Sequence, residues 1–286
     1  MKKMNFWMVM FLMGLAAAMW TGCSDDDDEN GGLNPNELVK DTTWIMKELK
    51  FNDSKNPGFY EKVVLNRTDG KVSEINISKY TPEGTLNGEA IKYSISRPSA
   101  KQVVATTTLN GEQQEYLYAL NDKGLVTSIK TSSDAEEDAM EYLFSYDASQ
   151  RLSNIKINAW GEEAVVFSVE YAADGNWQKF MLLPDDGEGE VMTDACNISS
   201  IQNNYSLDLN LLTFLKFQKQ DVVLTALYME LLPLSPAVLS SVNAMGMEIA
   251  VQTQMVGKAV AGIKLSADSE GEKMTMLDME LKTSLK

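Results

Sequence analysis

The sequence predicts a mainly β protein: a single large antiparallel β-meander of repeated hairpins, curved or rolled, with one or two short helices packed on its apolar face. Three observations predict it. Apolar and polar residues alternate in successive stretches from about residue 60 to 190, and a period of two belongs to strands. Turn signals recur at near-regular spacing. Gly70, the region of Ser99, Gly124, Gln150 and Gly175 lie 25 to 29 residues apart, with a second set (Gly84, Gly111, Asp134 to Asp138, Gly161, Asp186 to Gly189) between them. Finally, the alternation gives way to helical spacing only between about residues 207 and 232. A reversal roughly every 13 residues leaves no room for the crossovers of a dozen or more residues that parallel strands require.

The N-terminus comes first along the chain. Lys2 and Lys3 precede a 15-residue apolar run, Phe6 to Trp20. A spanning helix needs about 20 apolar residues, so the run reads as the core of a signal peptide. It closes on Thr21-Gly22-Cys23. These residues resemble a bacterial lipobox, in which small residues precede the cysteine that is lipidated and becomes the new N-terminus. Trp20 stands where that pattern usually has an aliphatic residue. The following Ser24, Asp25, Asp26, Asp27, Asp28 and Glu29 resemble the acidic export signal of Bacteroidetes surface lipoproteins. The resemblance implies a signal peptide over 1–22 and a lipidated Cys23 with an acidic tether over 23–41. A β domain over 42–286 follows, anchored in the outer membrane and facing the extracellular medium. Like-charge repulsion alone makes the aspartate run a solvated leash. A run without a fixed loop binds calcium weakly, so no metal site is expected there.

The meander itself is carried by four similar stretches. YLFSYDASQRLSNIKI (142–157) places Tyr142, Phe144 and Tyr146 on one face of a strand, then Ile155 and Ile157 on the next. Residues 116–131, 166–181 and 63–77 repeat the arrangement around Gly124, Gly175 and Gly70. Asp69-Gly70, Asn110-Gly111 and Asp186-Gly187 are hairpin dipeptides. The stretch from Tyr146 through Asp147, Gln150 and Arg151 to Leu152 resembles the "Y-D-x-x-G-R-L" hairpins of YD-type repeats, with Gln150 in place of the usual glycine. Together with the lipobox and acidic run, the chain resembles a family of Bacteroidales surface lipoproteins, of unknown molecular function, built from degenerate repeats of this kind. That motif specifies turn geometry and says little about function.

Each predicted strand is apolar on one face, and that face must be covered. At about 25 cal/mol per Å² of apolar area, one uncovered row of Tyr and Phe would forfeit several kcal/mol. The cover is expected from the insertion at about 207–232. Leu209, Leu212 and Leu215 fall at three-residue steps behind Asp208 as a cap, and Val223 to Leu232 form a second stripe behind Asp221, stopped by Pro233. A pair of buried strands is the alternative reading. Closing strands are expected over about 243–283, turning at Gly257 and at Ser269 to Glu272. The six methionines beyond residue 240 read as core filler.

Composition narrows the chemistry. The 286-residue chain has a formal net charge of −16, and loss of Lys2 and Lys3 with the leader takes it to −18. Nucleic-acid binding needs clustered Lys and Arg, so that partner class is excluded. No histidine is present, which removes Ser-His-Asp and Cys-His nucleophiles and His-ligated zinc. Two cysteines occur, and once Cys23 carries lipid Cys196 is left alone, with no disulfide to form. It reads as a small buried filler. The acidic groups Glu136-Glu137-Asp138, Asp185-Asp186-Gly187-Glu188 and Glu270-Gly271-Glu272 all fall in predicted turns, where they are not held in the unlike environments that paired-carboxylate catalysis requires. No catalytic residue and no cofactor is expected. Trp160 and Trp177, at or near turns, are the candidates for stacking on a sugar. The expectation is a non-enzymatic surface module that binds a glycan, peptide or partner protein and meets the membrane through the lipid anchor on Cys23. A carrier of hydrophobic ligand in a rolled sheet, a carboxylate-dependent glycan hydrolase and a purely structural envelope role are the alternatives.

Overall fold

A computed structural model of the chain describes residues 44–109, 111–131, 140–159, 162–183, 191–217, 221–244, 246–269 and 272–286. Sixteen strands follow one another: β1 (Trp44–Asn52), β2 (Tyr60–Thr68), β3 (Lys71–Tyr80), β4 (Ile91–Ser99), β5 (Gln102–Leu109), β6 (Glu112–Leu120), β7 (Val126–Thr131), β8 (Glu141–Tyr146), β9 (Leu152–Ala159), β10 (Glu162–Tyr171), β11 (Trp177–Leu182), β12 (Val191–Gln202), β13 (Ala237–Ala244), β14 (Met247–Val256), β15 (Ala259–Ser269) and β16 (Glu272–Leu285). Two helices, α1 (Leu209–Phe217) and α2 (Asp221–Tyr228), lie between β12 and β13. Each strand pairs antiparallel with the next, and β1 pairs with β16, in a register that includes Leu49↔Leu281. The meander is therefore a closed barrel. The sequence leaves open whether the sheet curves or closes; closure leaves the described strands without a free sheet edge.

The expected turn chemistry sets the hairpins. Asp69 and Gly70 both adopt positive φ (+52° and +76°), the requirement of a type I′ hairpin. Gln150 takes φ +64° where the repeat usually has glycine. What holds it there is Asp147. Its Oδ1 accepts from the Ser149 and Arg151 amides, each at 2.9 Å, and its Oδ2 accepts from Arg151 Nε at 2.7 Å. Asn121 does the same one hairpin earlier, accepting from the Lys123 and Leu125 amides at 2.9 and 3.0 Å.

A second bond ties each hairpin to the one before it. Tyr146 Oη donates to the Val126 carbonyl and Tyr171 Oη to the Leu152 carbonyl at 2.8 Å. Both acceptors lie two residues after the turn residue. Arg97 makes the equivalent bond to the Val72 carbonyl at 2.7 Å. Tyr146 and Tyr171 are thus rivets between neighbouring hairpins at the barrel rim, with Arg97 in that role between β4 and β3. That explains the fixed spacing of the two tyrosines from the turn.

Connectivity defines two rims. The chain enters at Trp44 and ends after Leu285 on the same rim. That rim also carries the turns at Gly70, Ser99, Gly124, Gln150, Gly175 and Gly257 and the helical insertion. The far rim carries the loops after β1, β3 and β5 and the turn at Gly246.

The insertion enters the lumen, which in the closed barrel is the apolar face the helices are expected to cover. Sixteen-stranded barrels are wide enough to leave an aqueous channel. Here the channel space holds this chain's own helices. Leu209, Leu211, Leu212, Phe214 and Leu215 of α1 and Val223, Leu224, Ala226 and Leu227 of α2 are all buried. Burial runs round both helices and takes in the polar Asn210, Thr213 and Thr225 as well, so they face more of the core than a one-sided stripe implies. β13 is a further correction. It begins at Ala237, earlier than the expected closing strands. Almost all of its residues are buried, so it shows no alternation for a sequence reading to find.

Contacts around the circumference show that the helices are enclosed. Phe214 stacks within an aromatic cluster of Trp177, Phe180 and Phe167, with the Phe180 and Phe214 centroids 4.7 Å apart. Tyr118 Oη on β6 and Thr225 Oγ1 on α2 share a buried hydrogen bond of 2.5 Å. Lys216 pairs with Glu61 on β2 at 2.5 Å, over the Phe51 ring of β1. Asn210 bonds β13 on both sides, donating to the Ala237 carbonyl and accepting from the Leu239 amide, each at 2.9 Å.

Candidate functional site: outer wall, filled lumen and the β1–β2 seam

The outward face of the wall is hydrophilic. Cross-strand ion pairs join Lys50 to Glu280 (2.6 Å), Lys62 to Glu48 (2.8 Å), Lys130 to Glu141 (3.3 Å) and Lys156 to Glu163 (2.6 Å), and Lys92 to Glu74. These residues alternate with the inward Val63, Ile129, Tyr142 and Ile155, which are buried. Glu74 accepts from Lys92, Asn76 and Asn66, and these bonds hold its carboxyl down to about 2. It is a charged wall residue with no proton to give near neutral pH.

Among the described residues Asp208 is the fully buried carboxylate of the lumen, and it caps α1 as the sequence predicts. Its Oδ1 accepts from the Leu211 amide at 2.8 Å; its Oδ2 accepts from Asn203 at 3.0 Å and from the Ser235 amide and hydroxyl. Burial pushes its carboxyl above the usual range, against the pull of these donors. Asp208 thereby pins the entry of the insertion (Asn203) to its exit (Ser235). That role is architectural, since the group is sealed from solvent.

A seam interrupts the wall. β1 and β2 pair only from Glu48↔Val64 to Asn52↔Tyr60. Nearer the rim of Trp44 and Leu285, β1 turns to the first segment of the insertion: Trp44 donates to the Asn204 carbonyl at 2.9 Å and accepts from the Ser206 amide at 2.7 Å. A depression of about 520 Å³ lies here, lined by Lys47, Glu48, Asn66, Arg67 and Lys282 among others. Arg67 crosses the seam to Glu230 at 2.6 Å and to the Met46 carbonyl at 3.0 Å. Glu230 has φ +62°. It follows α2 in a Schellman arrangement, with the Glu230 amide donating to Leu227 and the Leu231 amide to Ala226, at a position where glycine is usual. For Glu48 in the same seam, burial acts upward, but the bonds from Lys282 and Lys62 outweigh it and hold the carboxyl low. The seam therefore contains structural ion pairs. Sequence reasoning did not single out Arg67 or Glu230. They are 163 residues apart, and nothing local marks either one.

The residues singled out by sequence fare differently. Trp177 is 3% exposed inside the aromatic cluster, so it packs the core and is unavailable for sugar stacking. The indole served best as the bulk that fills the lumen beside Phe214. Trp160, Cys23, Ser24, Asp25, Asp26, Asp27 and Asp28 lie outside the described residues, as do Glu136-Glu137-Asp138 and Asp185 to Glu188 and the turn at Glu270-Gly271. Cys196 is partly buried against the core, and burial pushes its thiol up to about 11, in keeping with a filler. Among the described residues no group of three or more acidic or cysteine side chains is placed to hold a metal ion, and no helix is long and apolar enough to cross a membrane.

The sequence matches no protein-family model and no curated protein. Among solved structures, a porin-like protein from Bacteroides uniformis has the same fold, with a TM-score of 0.64 at 15% sequence identity over 84% of this chain and 95% of that one. The likeness concerns the barrel, and at this identity it establishes a porin-like β-barrel fold.

Proposed function

We propose that this chain is a water-exposed barrel tethered to the outer membrane through lipid on Cys23, where it serves as a non-enzymatic binding or scaffold module for a glycan, peptide or partner protein. The observation that carries this reading is the polarity of the barrel. Its outer wall is charged and its lumen is filled with leucine and aromatic side chains, the reverse of a lipid-embedded pore. Each outward lysine placed at a bilayer midplane would cost about 2–4 kcal/mol. Lys50, Lys62, Lys92, Lys130 and Lys156 together would cost on the order of 10–20 kcal/mol, comparable to the whole stability of a domain. The fold is shared with a porin-like protein; the solvent it suits is water. A lipid anchor reconciles membrane placement with such a wall. The hydrophobic-carrier alternative is disfavoured because the described helices occupy the space a cargo would need.

Protease shaving of intact expressing cells tests the placement, with Cys23→Ala as the control that loses the anchor. Protection of the wild-type chain on intact cells would refute surface exposure. Discrete conductance steps from the purified chain in a planar bilayer would refute the filled, water-facing barrel. A screen of glycans and matrix proteins without saturable binding would overturn the binding role and leave an envelope scaffold.

A further inference from the structure

We infer that the barrel stands on the membrane by one sector of its tether rim, formed by the ends of β13 to β16 and the start of β1, so that the far rim points away from the lipid. The inference rests on the Cys23 anchor proposed above. What it adds is the orientation and the contact surface.

Four observations converge on this sector. The tether enters the barrel here, because β1 begins at Trp44 beside Leu285 of β16. Large apolar side chains are exposed here: Val256 at 66%, Leu285 at 58% and Met255 at 42%, with Leu234 on the approach to β13. Val256 and Met255 sit at the tip of the β14–β15 hairpin, where Val256 pairs with Ala259, and Leu285 ends the adjoining strand. Acid is sparse in this sector in a chain that carries 41 acidic residues; Glu48 and Glu230 at its edge are tied into ion pairs with Lys62, Lys282 and Arg67. None occurs in Leu231 to Ser240, Ile249 to Ala267, Leu281 to Lys286 or Trp44 to Lys47. Exposed lysines flank the apolar tips: Lys47, Lys258 and Lys286. Apolar tips flanked by lysines, with no acidic side chain at the tips themselves, match the acyl–headgroup boundary: the tips enter the boundary and the ammonium groups meet phosphate. The far rim also exposes apolar side chains, Leu86 at 48% and Met192 at 58%, but it carries acid as well. Glu83, Glu89, Glu112 and Glu248 are all exposed there, and an anionic bilayer surface repels them.

The partner is thus a phospholipid surface. A second copy of the chain meeting the same apolar arc is the competing outcome. The test uses the lipidated full-length protein in phosphatidylcholine vesicles. With Cys23 acylated and Cys196 shielded, a single cysteine is introduced at Val256 (Val256→Cys) or at Glu112 (Glu112→Cys) and labelled with an environment-sensitive fluorophore. Both sites are exposed, so neither change disturbs the core. Vesicle flotation reports the anchor, and quenching by bromine-labelled lipid reports the contact. The Val256 probe is expected to be quenched about twofold or more, since interfacial groups sit roughly 5–10 Å into the boundary, and the Glu112 probe to be unchanged. Flotation with equal quenching at both sites overturns the orientation and spares the anchor. A chain that fails to float overturns both. Mutual quenching of Val256 probes without lipid quenching identifies the arc as a contact between copies and also overturns the lipid assignment.

Discussion

Glu230 offers a prediction in which the sign of a mutational effect depends on a residue 163 positions away. Glu230 occupies the left-handed cap that ends α2, with φ +62°. A side chain there costs about 1 kcal/mol relative to glycine. Taken alone, Glu230→Gly should stabilise the fold. The carboxylate, however, is bonded to Arg67 at 2.6 Å, and the two side chains are 14% and 25% exposed. Two further Arg67 nitrogens, Nε and Nη1, are buried without a protein acceptor. Removing Glu230 leaves a guanidinium largely shielded from water, with the neutral Met46 carbonyl at 3.0 Å and Ser206 Oγ at 3.5 Å as its remaining acceptors. The penalty for breaking such a pair reaches 3–5 kcal/mol when it is fully buried, and about 2 kcal/mol after allowing for the exposure at this seam. The expected net effect of Glu230→Gly is a loss of about 1 kcal/mol. In an Arg67→Met background the pair is already gone. There Glu230→Gly relieves the left-handed backbone conformation, and should raise stability by about 1 kcal/mol. Urea unfolding of the four chains, followed by circular dichroism, gives both values and their coupling. If Glu230→Gly stabilises the protein with Arg67 present, or destabilises it equally in both backgrounds, then the ion pair is not what holds a glutamate in a glycine position.

Further predictions follow from the lumen and the wall. Thr225→Val should cost more than Tyr118→Phe. The first strands the fully buried Tyr118 hydroxyl at about 1–3 kcal/mol, whereas the second leaves Thr225 still donating to the Val222 carbonyl at 2.6 Å and costs about 1 kcal/mol, both read by chemical denaturation. Trp177→Ala should destabilise by about 3–5 kcal/mol through the cavity it opens, and any binding to glycan should be unaffected apart from that loss, which a saturation curve on the folded fraction checks. Burial raises Tyr118, Tyr146 and Tyr171 above their ordinary value of 10.0. Groups raised in the folded state contribute stability that is intact below 10.0 and lost as pH climbs past it. Tyrosinate absorbance should therefore appear together with loss of tertiary circular dichroism; free titration of these rings in a folded barrel would contradict their burial. Cys196, pushed to about 11 from 9.0, should react with a thiol reagent at pH 8 about a hundredfold more slowly than the unfolded chain.

The wall of this protein was legible because its information is local. A period of two, with Asp69-Gly70, Asn121, Asp147 and the glycines at regular steps, fixes hairpins through contacts within a few residues, and consecutive hairpins can only stack antiparallel. The capping role of Asp208 was legible for the same reason, since its partner Leu211 lies three residues on. Closure was not legible. It depends on β1 finding β16 across more than 200 residues, and the sequences of those strands read the same in a rolled sheet or a barrel. Nor was the fate of Trp177, for an aromatic next to a turn looks alike whether it faces solvent or Phe214. The Arg67–Glu230 bridge and the β1–β2 seam exist only because closure brings the insertion back against β2. By itself, the sequence determined the strands, their turns, the helical insertion and the acidic charge, all of which follow from near-neighbour chemistry and composition. Tertiary structure alone decided that the apolar faces close around the helices and the lysines face outward, because which face of a strand is sealed is settled only when the last strand meets the first.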